Sequence, residues 1–152
     1  MRKSLPHAIA GTLAMLLIAT FWTATLVSEL FLDSAAVAAV KHAIAHYGLV
    51  SLVVVMAMTG GSGFALGRGR KGRLVDEKKK RMPFIGANGL LVMIPAALFL
   101  NARASAGTFD TWFYAVQGLE LAVGLLQLML MGRNFHAGLR LAGRLRPVQP
   151  AR

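Results

Sequence analysis

Two histidines four residues apart, His42 and His46, follow Lys41 at the start of a long apolar run. Residues four apart lie on one face of a helix. Two imidazoles and one carboxylate form a ligand set that suits Zn, Cu, Ni or Fe. Glu29, which lies near the end of the first apolar run on the same side, can complete such a set. The sequence therefore predicts a transition-metal site made of His42, His46 and Glu29.

Haem b is the alternative cofactor, because membrane bundles of four helices can hold haem between histidines of facing helices. His7 and His136 lie at the same end of the first and last apolar runs. They are the one pair of histidines from different runs that share a level within one chain. A pair made of His46 from two chains would require a homodimer. A chain without cofactor stays an open interpretation, in which Lys41 extends to water at the membrane surface.

A second set of polar residues lies deep inside apolar sequence. Gln117, Glu120 and Gln127 recur at offsets of three and seven, so one face of their helix is polar, and Asn88 lies within another apolar run. A carboxylate inside a membrane is costly unless it is neutralised or paired. These four residues predict either a polar pathway of a small transporter or proton-coupled carrier, or a hydrogen-bonded structural network.

No complete catalytic signature accompanies these residues. Residues 43–45 read Ala-Ile-Ala, so the histidine pair lacks the Glu that acts as general base in the H-E-x-x-H motif. The letters GRGRKG at 67–72 match a dinucleotide fingerprint, but an apolar run precedes them and a basic run follows, where the motif needs a strand and a helix. We predict no catalytic residue, and a non-catalytic role is favoured over an enzyme.

Composition defines the setting of these sites. Hydrophobic residues make up 56% of the 152 residues and charged residues 15%, which is the composition of an integral membrane protein. The chain has no cysteine, which excludes disulfides, thiolate metal sites and a cysteine nucleophile.

Four apolar runs have the length that a membrane-spanning helix requires, about 20 residues. We predict spans at about 7–32, 37–66, 84–100 and 109–132, with a basic loop at 67–83 and a basic tail at 133–152. Pro95 is expected to bend the third. The first run is longer than the core of a signal peptide, so we expect a retained span. The predicted fold is an all-α, four-helix up-down bundle forming a single membrane domain.

The basic residues predict the orientation of this bundle. If four spans alternate, 15 of the 17 Lys and Arg fall on one side, and Lys41 and Arg103 fall on the other. Lys and Arg collect in short cytoplasmic loops, so we expect both termini inside a bacterial-type inner (plasma) membrane. The expected partners are the lipid bilayer, anionic lipid headgroups at the basic face, and a second copy or a larger membrane complex; nucleic acid is not expected.

The sequence favours a small polytopic membrane protein that binds a metal or haem, or that serves as a subunit of a larger complex. The alternatives are the carrier that uses Glu120, Gln117 and Asn88, and a structural or assembly protein without a ligand.

Overall fold

The computed structural model describes residues 5–68 and 72–141, and every regular element within these ranges is helical. The elements in chain order are α1 (Leu5–Phe31), α2 (Ser34–Ala43), the turn Ile44–Gly48, α3 (Leu49–Gly67), α4 (Arg73–Asn88), the turn Gly89–Met93, α5 (Ile94–Ser105) and α6 (Thr111–Leu141). The two turns are π-helical and join consecutive helices without a break, one between α2 and α3 and the other between α4 and α5.

Four continuous helical segments are long and apolar enough to cross a membrane, which confirms the predicted all-helical class. The first span is α1, the second is α2 with α3, the third is α4 with α5, and the fourth is α6. The helices extend beyond the predicted apolar runs, since 73–83 belong to α4 and α6 continues to Leu141. Residues 69–71 of the predicted loop and 142–152 of the predicted tail lie outside the described residues.

Consecutive spans run in opposite directions and pack side by side. Helix α1 contacts α3 and α6, while α6 also contacts α4 and α5, and α2 packs on α5. We call the end with the connections 32–33 and 106–110 the short-loop end. The opposite end, which carries Arg68 and the start of α4, is the basic end.

Aspartates begin two of the helices at the short-loop end. Asp33 Oδ1 accepts a hydrogen bond of 2.9 Å from the backbone N–H of Ala36, and Asp110 Oδ1 accepts one of 3.0 Å from that of Phe113. Each carboxylate thus satisfies an N–H group that a helix start leaves without a partner. Asp110 also pairs with Arg103 at 2.6 Å across the second short connection.

Two apolar clusters form the core, one toward each end of the bundle. The short-loop cluster combines α2, α5 and α6, and the second cluster combines α1, α4 and α6. Their buried members are Val37, Leu100, Ala104 and Phe113 in the first, and Ala14, Ile18, Ile85 and Met131 in the second. Large apolar side chains such as Leu30, Val50 and Leu126 are exposed on the outside, as lipid contact requires.

Two glycines let aromatic side chains of α1 approach neighbouring spans closely. A Cβ on Gly48 would lie 2.6 Å from Phe21 Cζ, and one on Gly124 would lie 2.9 Å from Trp22 Cδ1. The indole N–H of Trp22 donates a 2.9 Å hydrogen bond to the carbonyl oxygen of Leu121. The first and fourth spans are therefore held together near mid-helix.

The third span deviates from α-helical geometry just before Pro95. The π-helical turn Gly89–Met93 ends there, and Pro95 lies in the first turn of α5. Proline has no N–H and its ring crowds the carbonyl four residues earlier. A wide turn at that point accommodates both effects, so the irregularity predicted from Pro95 takes this form.

Candidate functional site

A buried ion pair between the second and fourth spans is the main polar contact of the bundle interior. Lys41 Nζ donates a 2.7 Å hydrogen bond to Glu120 Oε2, and the two side chains are 1% and 10% exposed. A charge-assisted contact of this length is among the stronger hydrogen bonds in proteins. The expectation that Lys41 extends to water is therefore wrong, because the side chain turns inward to a carboxylate.

Helix geometry brings these two residues to the same level. Lys41 lies seven residues after the start of α2 and Glu120 nine residues after the start of α6, or about 10 and 14 Å from the short-loop end by helical rise. Lys41 follows the core residue Val37 by one turn, on the same face. The π-helical turn comes directly after α2 and carries His46.

Gln117 and Glu29 complete what we call the charged cluster, with Lys41 and Glu120. Gln117 Nε2 donates to Glu120 Oε2 at 3.3 Å, and Gln117 is 4% exposed. Glu29 of α1 lies close enough to Lys41 and Glu120 for charge–charge interaction with both. The Oε1 atoms of Glu29 and Gln117 are buried and accept no hydrogen bond from the described residues. The cluster thus contains one cation, two carboxylates and two buried oxygens that accept no hydrogen bond from the described residues.

A separate amide pair joins the third and fourth spans. Asn88 Nδ2 donates to Gln127 Oε1 at 2.8 Å, and Gln127 Nε2 donates to the carbonyl oxygen of Ile85 at 3.0 Å. The carbonyl lies in the last turn of α4, just before the π-helical turn. The four polar residues of the predicted pathway therefore occupy two places, with Gln117 and Glu120 in the charged cluster and Asn88 and Gln127 in the amide pair.

A cavity of about 930 Å³ connects these two places to the basic end. Its volume is at the upper end of the range for small-molecule sites, roughly 300–1,000 Å³. Glu120 and Gln127 line it, and most of the other lining residues are apolar. At the basic end its lining includes His7, Arg68 and Lys79. The charged cluster therefore borders a space that can hold a largely apolar molecule.

The two histidines of the predicted metal set lie on the outside of the second span. His42 and His46 are exposed, and their rings stack with centroids 3.9 Å apart. His46 Nδ1 donates to the carbonyl oxygen of His42 at 3.0 Å. Glu29, in contrast, interacts with the inward-facing Lys41. Within 5–68 and 72–141 no group of three or more His, Asp or Glu forms that could hold a metal ion, so the metal site has no support.

The histidines of the haem alternative also differ in their surroundings. His7 is partly buried and its Nδ1 donates to the carbonyl oxygen of Thr59, 3.1 Å away, on the facing α3. Ser62 Oγ lies at the same distance from that nitrogen. His136 is exposed on α6 and does not line the cavity that His7 lines. Haem between the two has no observation in its favour and stays a prediction.

Sequence reasoning missed Lys41 as the partner of Glu120. Two signals could have indicated it. Lys41 is the one lysine near the short-loop end, and it lies at nearly the depth of Glu120 when both are counted from their helix starts. The adjacent pair of histidines is the stronger sequence pattern, and it indicates metal binding rather than an ion pair.

Comparison of the chain with models of protein families, with curated proteins and with solved structures yields no match in any of the three. The class that the fold defines is a small helical membrane protein with four candidate spans.

Proposed function

We propose that this protein is a small proton-coupled carrier for an amphipathic molecule. In this proposal Glu120 and Glu29 share a proton beside Lys41, and the carried molecule occupies the adjacent cavity. The single observation that carries the proposal is the buried Lys41–Glu120 ion pair at the wall of that cavity.

The charge balance of the cluster supports proton exchange. With all three groups ionised, Glu29, Lys41 and Glu120 carry one net negative charge, and one added proton makes the cluster neutral. A charged residue at the centre of a membrane helix costs roughly 2.5–3.5 kcal/mol on insertion scales, so neutral states are favoured there. Two carboxylates near one cation can exchange their proton without leaving either charge unpaired.

The position of Glu120 supports coupling between the proton and a ligand. Its carboxylate bonds to Lys41 and Gln117, and the residue also lines the cavity. A molecule that enters the cavity therefore changes the surroundings of the group that holds the proton. Such a change alters proton affinity, and by thermodynamic linkage protonation alters the affinity for the molecule by the same factor.

Proteoliposomes with an imposed pH gradient test this function. Anilinonaphthalene sulfonate is a suitable probe, because it has apolar rings and a sulfonate that stays ionised and so carries no proton itself. We expect acid outside to accelerate dye uptake by the wild-type protein and Glu120→Gln to remove the acceleration. Glu77→Gln, which changes an exposed carboxylate on α4, is the matched control. Dye uptake by the wild type at the same rate with and without the pH gradient would contradict the proposal.

We also propose that the basic end faces the cytoplasm of a bacterial-type inner membrane, with both chain termini on that side. The support is the distribution of Lys and Arg between the two ends, fifteen against two when the spans alternate. In that orientation the charged cluster lies in the outer half of the membrane.

A second candidate role is that of a subunit, in a homodimer or a larger complex. Only 6% of the apolar core of the second span is buried within the chain, against 22% to 28% for the other three. Val50, Val54 and Met58 of α3 are more than half exposed. The variant Val54→Cys tests this role, because the chain has no native cysteine and the variant therefore carries a single one. Efficient disulfide formation between two copies in native membranes would support it, and monomer at every protein density would contradict the homodimer.

A further inference from the structure

The basic end of the cavity combines positive charge with an apolar interior. Arg68 and Lys79 line it there, and Glu120 is the one acidic residue among the described residues that line it. The Arg68 guanidinium lies 5.0 Å from the centre of the Phe64 ring. Lys79 Cε would lie 3.4 Å from a Cβ on Gly67, so the stem of Lys79 packs against the end of α3. Both cations are thus held beside the last turn of the second span.

The cavity is open toward the membrane between the second and third spans. Helices α3 and α4 touch at few points, whereas α1 packs closely on α3. Phe64 of α3 and Leu90 of the third span line the cavity and are 67% and 64% exposed. A molecule dissolved in the membrane can therefore enter from the side with its apolar part first.

The cavity is long enough to hold a lipid of one leaflet. Along α6 the lining extends from Glu120 to Leu139, which is about 28 Å of helix. Half of a bilayer's hydrocarbon core is about 15 Å thick. An acyl chain whose headgroup lies at Arg68 would therefore end before it reaches the charged cluster.

From these three features we propose that the cavity binds an anionic phospholipid from the leaflet at the basic end. The headgroup contacts Arg68 and Lys79, and the acyl chains lie between the spans. Lipid tails are as apolar as the cavity wall, so burying them gains little over the bilayer. The headgroup charge therefore decides which lipid is retained. This inference uses the cavity but does not rest on proton exchange at Glu120.

Native mass spectrometry of the purified protein tests the proposal. The protein is incubated with equal amounts of phosphatidylglycerol and phosphatidylcholine that have identical acyl chains. We expect the wild type to retain phosphatidylglycerol preferentially. The double variant Arg68→Gln and Lys79→Gln should lose the preference, by about fivefold for each basic residue removed. Equal retention of the two lipids by the wild type would overturn the proposal.

A matched double variant separates the cavity from the general charge of the surface. Arg133 and Arg140 are exposed in the half of α6 that lies toward the basic end, but they do not line the cavity. Their replacement by Gln removes the same charge from the same end. We expect this variant to keep the wild-type preference. An equal loss in both double variants would mean that anionic lipid is attracted by the surface alone, and would overturn the proposal.

Two neighbouring glycines provide a test of position that leaves charge unchanged. A Cβ added to Gly60 or Gly61 meets no atom within 4 Å, so both positions accept a side chain. Gly60 lines the cavity and Gly61 does not. Gly60→Leu should reduce the amount of bound lipid, and Gly61→Leu should leave it unchanged. Equal lipid binding by the two would overturn the proposal.

Different variants test the lipid proposal and the carrier proposal, so one can be contradicted while the other holds. Glu120→Gln is expected to stop pH-driven uptake and to leave the headgroup preference unchanged. The pair Arg68→Gln and Lys79→Gln changes the headgroup preference and leaves the charged cluster intact.

Discussion

Lys41 and Glu120 illustrate how an ion pair can be retained inside a membrane. Each charge alone would be costly there, and the 2.7 Å contact offsets part of that cost. Gln117 adds a second hydrogen bond to the same carboxylate oxygen. The desolvation of a buried pair often cancels its Coulomb attraction, so the pair itself is weak evidence for stability. Its position beside the cavity and near Glu29 is what supports the proposed proton exchange.

Removal of one partner of this pair should lower the free energy of unfolding much more than removal of both. Lys41→Met leaves the Glu120 carboxylate buried without its cation, and a lone buried charge costs about 3–5 kcal/mol. We expect a loss of this size in the free energy of unfolding, measured in detergent micelles. The double variant Lys41→Met and Glu120→Leu should recover most of it.

The exposed Arg73–Glu77 pair is the control for that experiment. Its atoms are 3.1 Å apart and Arg73 is 92% exposed, so Arg73→Met should change the free energy of unfolding by less than about 1 kcal/mol. A double variant at Lys41 and Glu120 that is as unstable as the sum of its two single changes would show that the residues do not act as a pair.

The two residues of the amide pair should contribute unequally to stability. Gln127 makes two hydrogen bonds, to Asn88 and to the Ile85 carbonyl, whereas Asn88 makes one of them. Interhelical hydrogen bonds in membranes are worth about 0.6 kcal/mol on average and up to about 1.7. We expect Gln127→Leu to lower the thermal unfolding temperature more than Asn88→Leu. The reverse order would mean that Gln127 is not the central member of the pair.

Residue types could predict that Glu120 needs a partner, but not which one. A buried carboxylate requires neutralisation or pairing wherever it lies. The choice of Lys41 depends on the register between two antiparallel helices, which a single sequence does not express. The capping roles of Asp33 and Asp110 illustrate the same limit, because either carboxylate could equally have turned toward the histidines.

At the scale of the element, α6 has an inward face that follows a seven-residue repeat. Buried positions recur alternately four and three residues apart, which is the spacing of a helix that packs along a left-handed bundle. The alternation holds from Phe113 to Asn134, and the next buried position, Ala137, follows after three residues. The buried members of this face are Phe113, Gln117, Glu120, Gly124, Gln127, Met131, Asn134 and Ala137. Four of the eight are polar. The spacing in the sequence is sufficient to predict such a face, but it does not predict that α6 begins at Thr111.

Glycines on α6 should respond to substitution according to this face. Gly124→Ala places a methyl group 2.9 Å from the Trp22 ring, and overpacking of this kind costs about 1–3 kcal/mol. Gly118 is exposed and a Cβ there meets no atom within 4 Å. Gly118→Ala should therefore be neutral or stabilising by up to about 1 kcal/mol, as helix propensity predicts. Thermal unfolding in detergent distinguishes the two. Equal effects would contradict the close packing of Trp22 on α6.

The π-helical turns could not be predicted from the sequence in the same way. Pro95 indicates that the third span is irregular, and the structure places the wide turn just before it. No proline marks the turn Ile44–Gly48 in the second span. Gly48 is the relevant feature there, because Phe21 lies where its side chain would be. That contact between spans is a property of packing, so composition alone does not reveal it.

At the scale of the whole molecule, the two ends have different chemistry. The short-loop end has brief connections with capping aspartates, and the charged cluster lies below it. The basic end carries most of the Lys and Arg among the described residues, and the cavity lining reaches this end at Arg68 and Lys79. This asymmetry can be predicted from the sequence, because charge and hydropathy are counted residue by residue along the chain. The cavity cannot be predicted in this way, because it depends on how far α3 and α4 lie apart.

Single-cysteine labelling should determine the orientation, since the chain has no native cysteine. We expect Ala106→Cys at the short-loop end to react with a membrane-impermeant maleimide in whole cells. Arg73→Cys at the basic end should react only after the membrane is permeabilised. The opposite result would invert the proposed orientation and place the charged cluster in the inner half of the membrane.

The central claim is that Glu29 and Glu120 share an exchangeable proton beside Lys41. Infrared difference spectroscopy of the protein in lipid bilayers, titrated in pH, tests it most directly through the C=O stretch of a protonated carboxylic acid. The wild type and Glu77→Gln should show a buried carboxylic acid whose proton exchanges with water. Glu120→Gln and Glu29→Gln should each remove or shift that band. A wild type without such a band, or a band that persists unchanged in both variants, would contradict the account.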